Sequence, residues 1–435
     1  MSALCREIRL LGEAAKELPE AAINLPEGAQ SRLARLPVHT VFLGGGTPSL
    51  LPLKELERIF TAVREAFDLL PRAEISLEAN PGTVDLAGLR GLRELGVNRL
   101  SLGMQSAHAD ELELLGRIHT FEQVVQAVEW ARQAGFDNLN LDAIFGLPGQ
   151  SLERWKGTLQ QALRLGVEHL SLYALTLEEG TTLLEWVRAG QFPEPDPDKA
   201  ADMYDLATEM LEAAGYQQYE ISNWAKNDGK AQTEVENPSY ACQHNLQYWR
   251  NLPYLGVGAG AHGYIRWPFT ELLEGSGPEG ANSGAHGYIR EPTGERAGER
   301  KGGHRPPKHA SEPAPTINMR IADTLTPAEY IRRMRDGEGK PFIFPQTPAA
   351  AQVTQIDTQT EIGETMMMGL RLTREGVSQT VFRMRFGRQM TDVFGTQIER
   401  LRGLGLLEWA GTQQDVLRLT PRARFVGNRV FMEFI

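Results

Sequence analysis

The sequence predicts an α/β protein in which a parallel sheet, wound open or curled into a barrel, is followed by a smaller α+β domain. Three observations carry that prediction. Short β-rich runs alternate with longer stretches of helical period between His39 and about Ser222, polar residues recur at the C-terminal tips of those runs, and the composition changes abruptly past Asn223.

Taken in order, residues 1–18 carry a helical stripe of Leu4, Ile8 and Leu11 that is already running where the chain starts, with no cap and no preceding strand. A βα unit opens with its strand, so the natural start is expected upstream of Met1. Strands are expected at 39–43 (HTVFL), 74–78 (EISLE), 98–103 (NRLSLG), 138–145 (NLNLDAIF), 169–175 (HLSLYAL) and 218–222 (QYEIS), all rich in Leu, Ile, Val and Tyr. Between them helices are expected at 53–67, where Leu56, Ile59, Phe60 and Val63 share a face, and at 86–95, 121–134, 152–165 and 200–214. Past Asn223 lies an aromatic, glycine-rich connector. Residues 270–315 are Gly, Pro, Glu, Arg and Lys with almost no apolar side chain, and such a segment is expected to be a flexible insertion. GAHGYIR occurs at 260–266 and again at 284–290, a local duplication too short for a structural array. From Thr326 helical period returns, followed by GLRLTREGVS, FRMRFG, a helix near 393–404, and LEWAG with VLRLT as a hairpin-like pair. The expected divisions are 1–225, a connector at 226–325 and a C-terminal module at 326–435.

With 435 residues, 41% of them hydrophobic and 23% charged, the chain can bury a full core, which excludes global disorder, collagen and coiled coil. A net charge of −11 argues against a surface built to neutralise nucleic-acid phosphates, and favours small-molecule or protein partners. No run reaches membrane length, so a spanning segment is not expected, while peripheral membrane contact and the oligomeric state stay open. The two cysteines, Cys5 and Cys242, make neither a disulfide framework nor a metal knuckle, which fits a reducing, cytoplasmic setting.

The strongest local signal is LGGGTPSLL, in which Gly44, Gly45 and Gly46 follow a strand and Thr47-Pro48 precede a helix. Glycines let a backbone approach a ligand and expose its N–H groups; alone, the cluster is equally consistent with a tight βα turn. Glu78, Gln105, Asp142 and the pair Tyr173-Ala174 stand at corresponding tips of later strands, and polar groups at one end of a curled parallel sheet converge on one mouth. Each taken singly reads as a capping contact. Arg117, in LLGRIHT, is either a solvated helix residue or the partner of a bound carboxylate.

GGGTP, EANP, SLGMQS, GRIHT, LNLDAIFGLPGQ and YEISN together resemble the radical S-adenosylmethionine core of the coproporphyrinogen dehydrogenase group, in particular its haem chaperone HemW branch, and LTPRARFVGNRVFMEFI resembles that branch's ending. The resemblance covers nearly the whole chain except the 270–315 insertion. It implies a (β/α) TIM-like barrel, here partial because its first strand is missing, and a small α+β, winged-helix-like C-terminal domain. It implies that Gly45, Gly46 and Thr47 contact S-adenosylmethionine, and that Glu78, Gln105, Arg117, Asp142 and Ala174 hold its amino acid, ribose and adenine parts. The family also carries a CxxxCxxC loop whose thiolates hold a [4Fe-4S] cluster. No such loop exists in this sequence, so reductive cleavage of S-adenosylmethionine is not expected of the chain as it stands.

HNLQYW at 244–249 fits the HNxxYW pattern that the family associates with haem. His244 offers an imidazole for haem iron, and Tyr248 and Trp249 offer flat apolar faces to a porphyrin; an aromatic core loop with a hydrogen-bonded histidine is the plainer alternative. His262 and its duplicate His286 are second-ligand candidates only if exposed. Arg371 with Arg374, and Arg383, Arg385 and Arg388, read as solvated faces, with contact to haem propionates or a partner as the alternative, and Met366, Met367 and Met368 read as core packing rather than a soft-metal site. The resemblance thus implies a haem-handling protein that passes haem to an apo-protein, with oxygen-independent coproporphyrinogen III oxidase as the alternative.

Overall fold

The computed structural model describes residues 1–16, 35–231, 233–267 and 317–435. The 270–315 insertion and His286 lie outside them. The N-terminal stripe forms helix α1 (Ser2–Lys16), and the alternating segment then runs β1 (Pro37–Leu43), α2 (Leu53–Ala66), β2 (Asp68–Ala79), α3 (Leu86–Glu94), β3 (Arg99–Gln105), α4 (Ala109–Leu114), α5 (Phe121–Gln133), β4 (Leu139–Phe145), α6 (Leu152–Arg164) and β5 (His169–Ala174). Then follow α7 (Thr182–Arg188), α8 (Pro197–Ala213), β6 (Tyr216–Glu220), β7 (Asn223–Lys226) and α9 (Gln243–Trp249). Strands β1 to β5 pair in sequence order, all parallel, and curl into the half-barrel that the alternation predicts.

The sixth expected strand departs from that pattern. β6 does not join β5; β7, which was not expected, comes between them and runs antiparallel to both. Ile221 and Ser222, read from the sequence as strand, form the two-residue turn that reverses the chain, and a hairpin this tight can only be antiparallel.

The five parallel strands are two-faced. Leu77, Leu100, Leu102, Leu139, Leu141, Leu170 and Leu172 are at most 1% exposed on the convex face and share one core with Leu56, Phe60, Val124, Trp155 and Leu159 of the helices. Each such burial contributes roughly 1.5–3 kcal/mol. The residues between them point into the concavity and are polar: Glu74, Ser76 and Glu78 on β2, Arg99 and Ser101 on β3, Asn140 and Asp142 on β4, His169 and Ser171 on β5. Parallel strands covered on both faces read as continuous apolar runs, so this alternation marks a lumen rather than a second core.

Beyond the half-barrel, β8 (His262–Trp267), β9 (Ile317–Asp323), α10 (Pro327–Asp336) and β10 (Ala350–Ile356) build a three-stranded antiparallel sheet with a flanking helix. Buried Glu7 of α1 ties it down, accepting from Gly258 N at 2.9 Å, the Tyr330 hydroxyl at 2.6 Å and Thr347 Oγ1 at 2.5 Å. The chain closes with α11 (Thr358–Gly369), β11 (Val377–Ser378), α12 (Gln379–Phe386), α13 (Met390–Gly403), β12 (Leu407–Ala410), β13 (Val416–Leu419) and α14 (Gly427–Phe431). Strands β12 and β13 form the expected hairpin. Met366 is fully buried in this module's own core, with Met367 packed against it.

The arginines of this module are not uniformly solvated, contrary to the sequence reading. Arg371 donates to Oε1 of fully buried Glu220 and lies 4.3 Å over the Trp249 ring, while Arg385 pairs with buried Glu361 at 2.7 Å. Arg371 thereby docks the module on β6, while Arg385 satisfies a buried carboxylate of its own module and donates to Asn251 O at 2.8 Å. Arg383 and Arg388 are exposed, as expected.

Candidate functional site

The mouth of the lumen is built where β1 ends. Gly45 and Gly46 have φ of +81° and +79°, and a Cβ at either would meet no atom within 4 Å, so their backbone faces open space. The left-handed conformation requires glycine there. Gly44 has a different constraint: a Cβ would stand 2.7 Å from the Phe42 ring. Gly45 N–H donates to Glu78 Oε2 at 3.1 Å, joining the tips of β1 and β2. Burial raises the Glu78 carboxyl above its ordinary range; the Gly45 bond opposes the rise and the Asp142 charge adds to it.

Across the mouth, Asp142 accepts from Ser101 Oγ at 2.9 Å and Asn140 Nδ2 at 2.8 Å. Burial raises its pKa too, against those hydrogen bonds. Gln105 ends β3 with φ +65°, unusual outside glycine, where the β3–β4 pairing slips between Leu102 and Gln105, and it is buried. Ala174 is exposed at the tip of β5 and Thr47 is half-buried before the turn at Pro48–Leu50. Arg117 is exposed, and its side chain makes no hydrogen bond among the described residues. The structure therefore joins Gly45 to Glu78 and couples Glu78 to Asp142, with Gln105 and Ala174 at neighbouring strand tips; it does not bring Arg117 into contact with them.

His244 lies deeper, inside the concavity. Its ring stacks on Phe42 at 5.1 Å, Nδ1 is 3.1 Å from Thr40 Oγ1, and Nε2 is 2.8 Å from the Tyr248 hydroxyl. Buried Glu74 holds the start of α9 there, accepting from Gln243 N at 3.0 Å, His244 N at 3.1 Å and Cys242 Sγ at 3.4 Å. Burial lowers the His244 pKa to about 4, so the imidazole is neutral at neutral pH. A phenol is the better proton donor, so Tyr248 donates to Nε2 and Nδ1–H donates to Thr40. Trp249 turns the other way: it packs against Leu246 and Leu372, under the Arg371 guanidinium, and the structure does not bring it to the imidazole. Exposed His262 lies on β8 and makes no contact with His244.

One hydrogen-bonded chain links the two ends. From Asp142 it runs through Asn140 to His169 Nδ1 at 2.6 Å, from His169 Nε2 to the Tyr219 hydroxyl at 2.8 Å, and from there to Cys242 N at 3.2 Å, beside the Glu74 that caps His244. Beyond Asp142, the side chains of this chain, Asn140, His169 and Tyr219, with Thr40, Phe42 and Arg99, were not singled out by the sequence. The available signal was polarity at every second position of strands otherwise rich enough in Leu to be buried on both faces.

The open backbone at Gly45 and Gly46 and the carboxylates of Glu78 and Asp142 fit a small polar ligand with hydrogen-bond donors. An iron–sulfur cluster does not fit. Cys5 is buried in α1 and Cys242 is buried against Glu74, no third thiol exists in the sequence, and no His, Cys, Asp and Glu cluster of metal-binding geometry is found among the described residues.

Comparisons with known proteins agree with this fold. The radical SAM superfamily model matches residues 24–162 and the HemN C-terminal domain model matches 356–426. The haem chaperone HemW of Bacillus subtilis is 32% identical over 399 residues, 91% of this chain and 85% of that protein. The HemW proteins of Synechocystis and Escherichia coli are 43% and 42% identical over 229 and 238 residues, stretches covering 53% and 58% of those proteins, so the chain spans little more than half the length of either. Among solved structures, the coproporphyrinogen III oxidase HemN of E. coli superposes with a TM-score of 0.67 at 18% identity, covering 100% of this chain and 82% of that one, a likeness of fold.

Proposed function

From the premise that the chain belongs to the haem chaperone HemW family, we propose that it binds haem through His244 and passes it to an apo-protein, in the cytoplasm, with S-adenosylmethionine held at the mouth of the same lumen. The observation that carries this reading is the state of His244. Metal ligation requires a neutral imidazole with a free lone pair, oriented by a hydrogen bond at its other nitrogen. Burial keeps His244 neutral, Thr40 Oγ1 accepts from Nδ1–H, and the Tyr248 hydroxyl stands on Nε2. When Tyr248 swings aside, Nε2 is ready for iron, and the stacked Phe42 fixes the ring plane.

At the mouth, Gly46 and Thr47 would offer backbone, Glu78 an acceptor for an amino or ribose group, Gln105 and Asp142 polar contacts, and Ala174 an adenine contact. S-adenosylmethionine, when bound, supplies a sulfonium-activated adenosyl group. No step through a cluster is assigned to this chain, whose two cysteines cannot hold one. Among the described residues no helix is long and apolar enough to cross a membrane.

Absorbance titration with haem tests the reading. The Soret change is expected in the wild-type chain and is expected to be lost in His244→Ala. A spectrum unchanged in His244→Ala would remove the assignment, and turnover of coproporphyrinogen would favour the oxidase instead.

A further inference from the structure

The lumen holds a cation that the proposed function leaves unused. Arg99 opens β3 on the concave face and is 2% exposed. Its side chain makes no hydrogen bond to any described residue, and its Nε is buried without a partner. The carboxylates near it are committed elsewhere. Glu74 gives its oxygens to Gln243 N, His244 N and the Cys242 thiol, and Asp142 accepts from Ser101 and Asn140. Ser76, the register partner of Arg99, likewise has a buried hydroxyl with no partner. Two donors on one rung of the sheet thus face the lumen unsatisfied, while the neighbouring polar groups Asn140, His169, Ser171 and Tyr219 are hydrogen-bonded to one another. A guanidinium buried without an acceptor is costly, and bound carboxylate is the acceptor whose geometry it matches.

Register gives the position. Phe42, on which His244 stacks, pairs with Ser76, and Ser76 pairs with Arg99. The imidazole and the guanidinium therefore belong to the same level of the sheet, two strand spacings or roughly 10 Å apart. The geometry points to Arg99, assisted by the Ser76 hydroxyl, as the residue that receives a propionate carboxylate of the haem held at His244. This rests on the haem reading above, and makes Arg99 the residue that distinguishes a porphyrin bearing free carboxylates from one whose carboxylates are masked.

The test is an absorbance titration of the full chain with haem and with haem dimethyl ester, in which both propionates are esterified. Wild type is expected to bind haem about tenfold or more tightly than the ester, the range of a charge-assisted hydrogen bond. Arg99→Gln is expected to bind the two equally and Arg99→Lys to keep part of the preference. If wild type binds both equally, or Arg99→Gln folds and keeps the preference, the assignment is overturned while the haem reading stands. If wild type binds neither, both fall. Should Arg99→Gln fail to fold, the wild-type comparison and Arg99→Lys still decide. S-adenosylmethionine also carries a carboxylate, so calorimetry with that ligand is the second arm. Binding is expected to be unchanged in Arg99→Gln, and its loss with the haem preference intact would assign Arg99 to the other ligand.

Discussion

Lowering the pH separates an imidazole poised for iron from an ordinary surface histidine. A histidine with its usual pKa near 6.5 is only about 9% neutral at pH 5.5, and as a ligand it would lose about tenfold in affinity between pH 8 and pH 5.5. With its pKa lowered to about 4 by burial, His244 is still about 97% neutral at pH 5.5, so proton competition removes almost nothing. Stability behaves oppositely. Below pH 6.5 the unfolded chain takes up a proton at this position and the folded chain does not, so the contribution present above pH 6.5 is lost as the pH falls toward 4, in total on the order of 3 kcal/mol. His39, His119 and His169 are also lowered by burial and slope the same way, so the difference between wild type and His244→Phe isolates the one residue. The assays are haem titration from pH 8 to 5.5 and urea unfolding over the same range. Affinity falling tenfold across that range, or an identical stability slope in His244→Phe, would refute the reasoning.

Three further outcomes follow from the same contacts. Tyr248→Phe keeps the ring edge against His244 and removes the hydroxyl on Nε2, so haem is expected to bind severalfold more tightly, by about 1 kcal/mol; weaker binding in the titration would make the hydroxyl part of the haem site. Gly46→Val forces a branched side chain into a backbone at φ +79°, a strain of about 1–2 kcal/mol. Calorimetry is expected to show weaker S-adenosylmethionine binding with the haem titration unchanged, and equal loss of both would contradict two separable sites. Arg371→Leu leaves Glu220 buried without its cation, and urea unfolding is expected to show a loss of about 3–5 kcal/mol. Adding Glu220→Gln, which can still accept from Ser222 N and Asn223, is expected to restore most of it, and a single-variant loss below about 1 kcal/mol would mean the pair does not dock the module.

Strands β1 to β5 were legible because β-branched and leucine-rich runs between amphipathic helices have one economical arrangement, and the glycines after β1 announced the mouth. Strand β7 was not, since NWAK is four residues with no period of its own and is fixed by pairing with β5 and β6. Tyr248 and Trp249 are adjacent in sequence yet serve opposite sides of α9, which no pattern of types discloses without a helix phase. Glu74 looked like one letter of a strand; its value as the cap of a helix about 170 residues later depends on how the sheet curls. Arg371 and Arg385 show the same limit: charge runs read as solvated until the partner carboxylate, far away in sequence, is placed against them.

A sheet that keeps one buried face polar forgoes part of the apolar burial that a closed core would supply, so the lumen contributes less to stability than the convex core does. Whatever fills it binds the folded chain and not the unfolded one, so cargo at a hundred times its dissociation constant adds about 2.7 kcal/mol to stability. Loaded and empty chains then differ by about a hundredfold in how often they open to a protease. On the haem reading proposed above, loaded and empty chains are therefore expected to differ in protease lifetime.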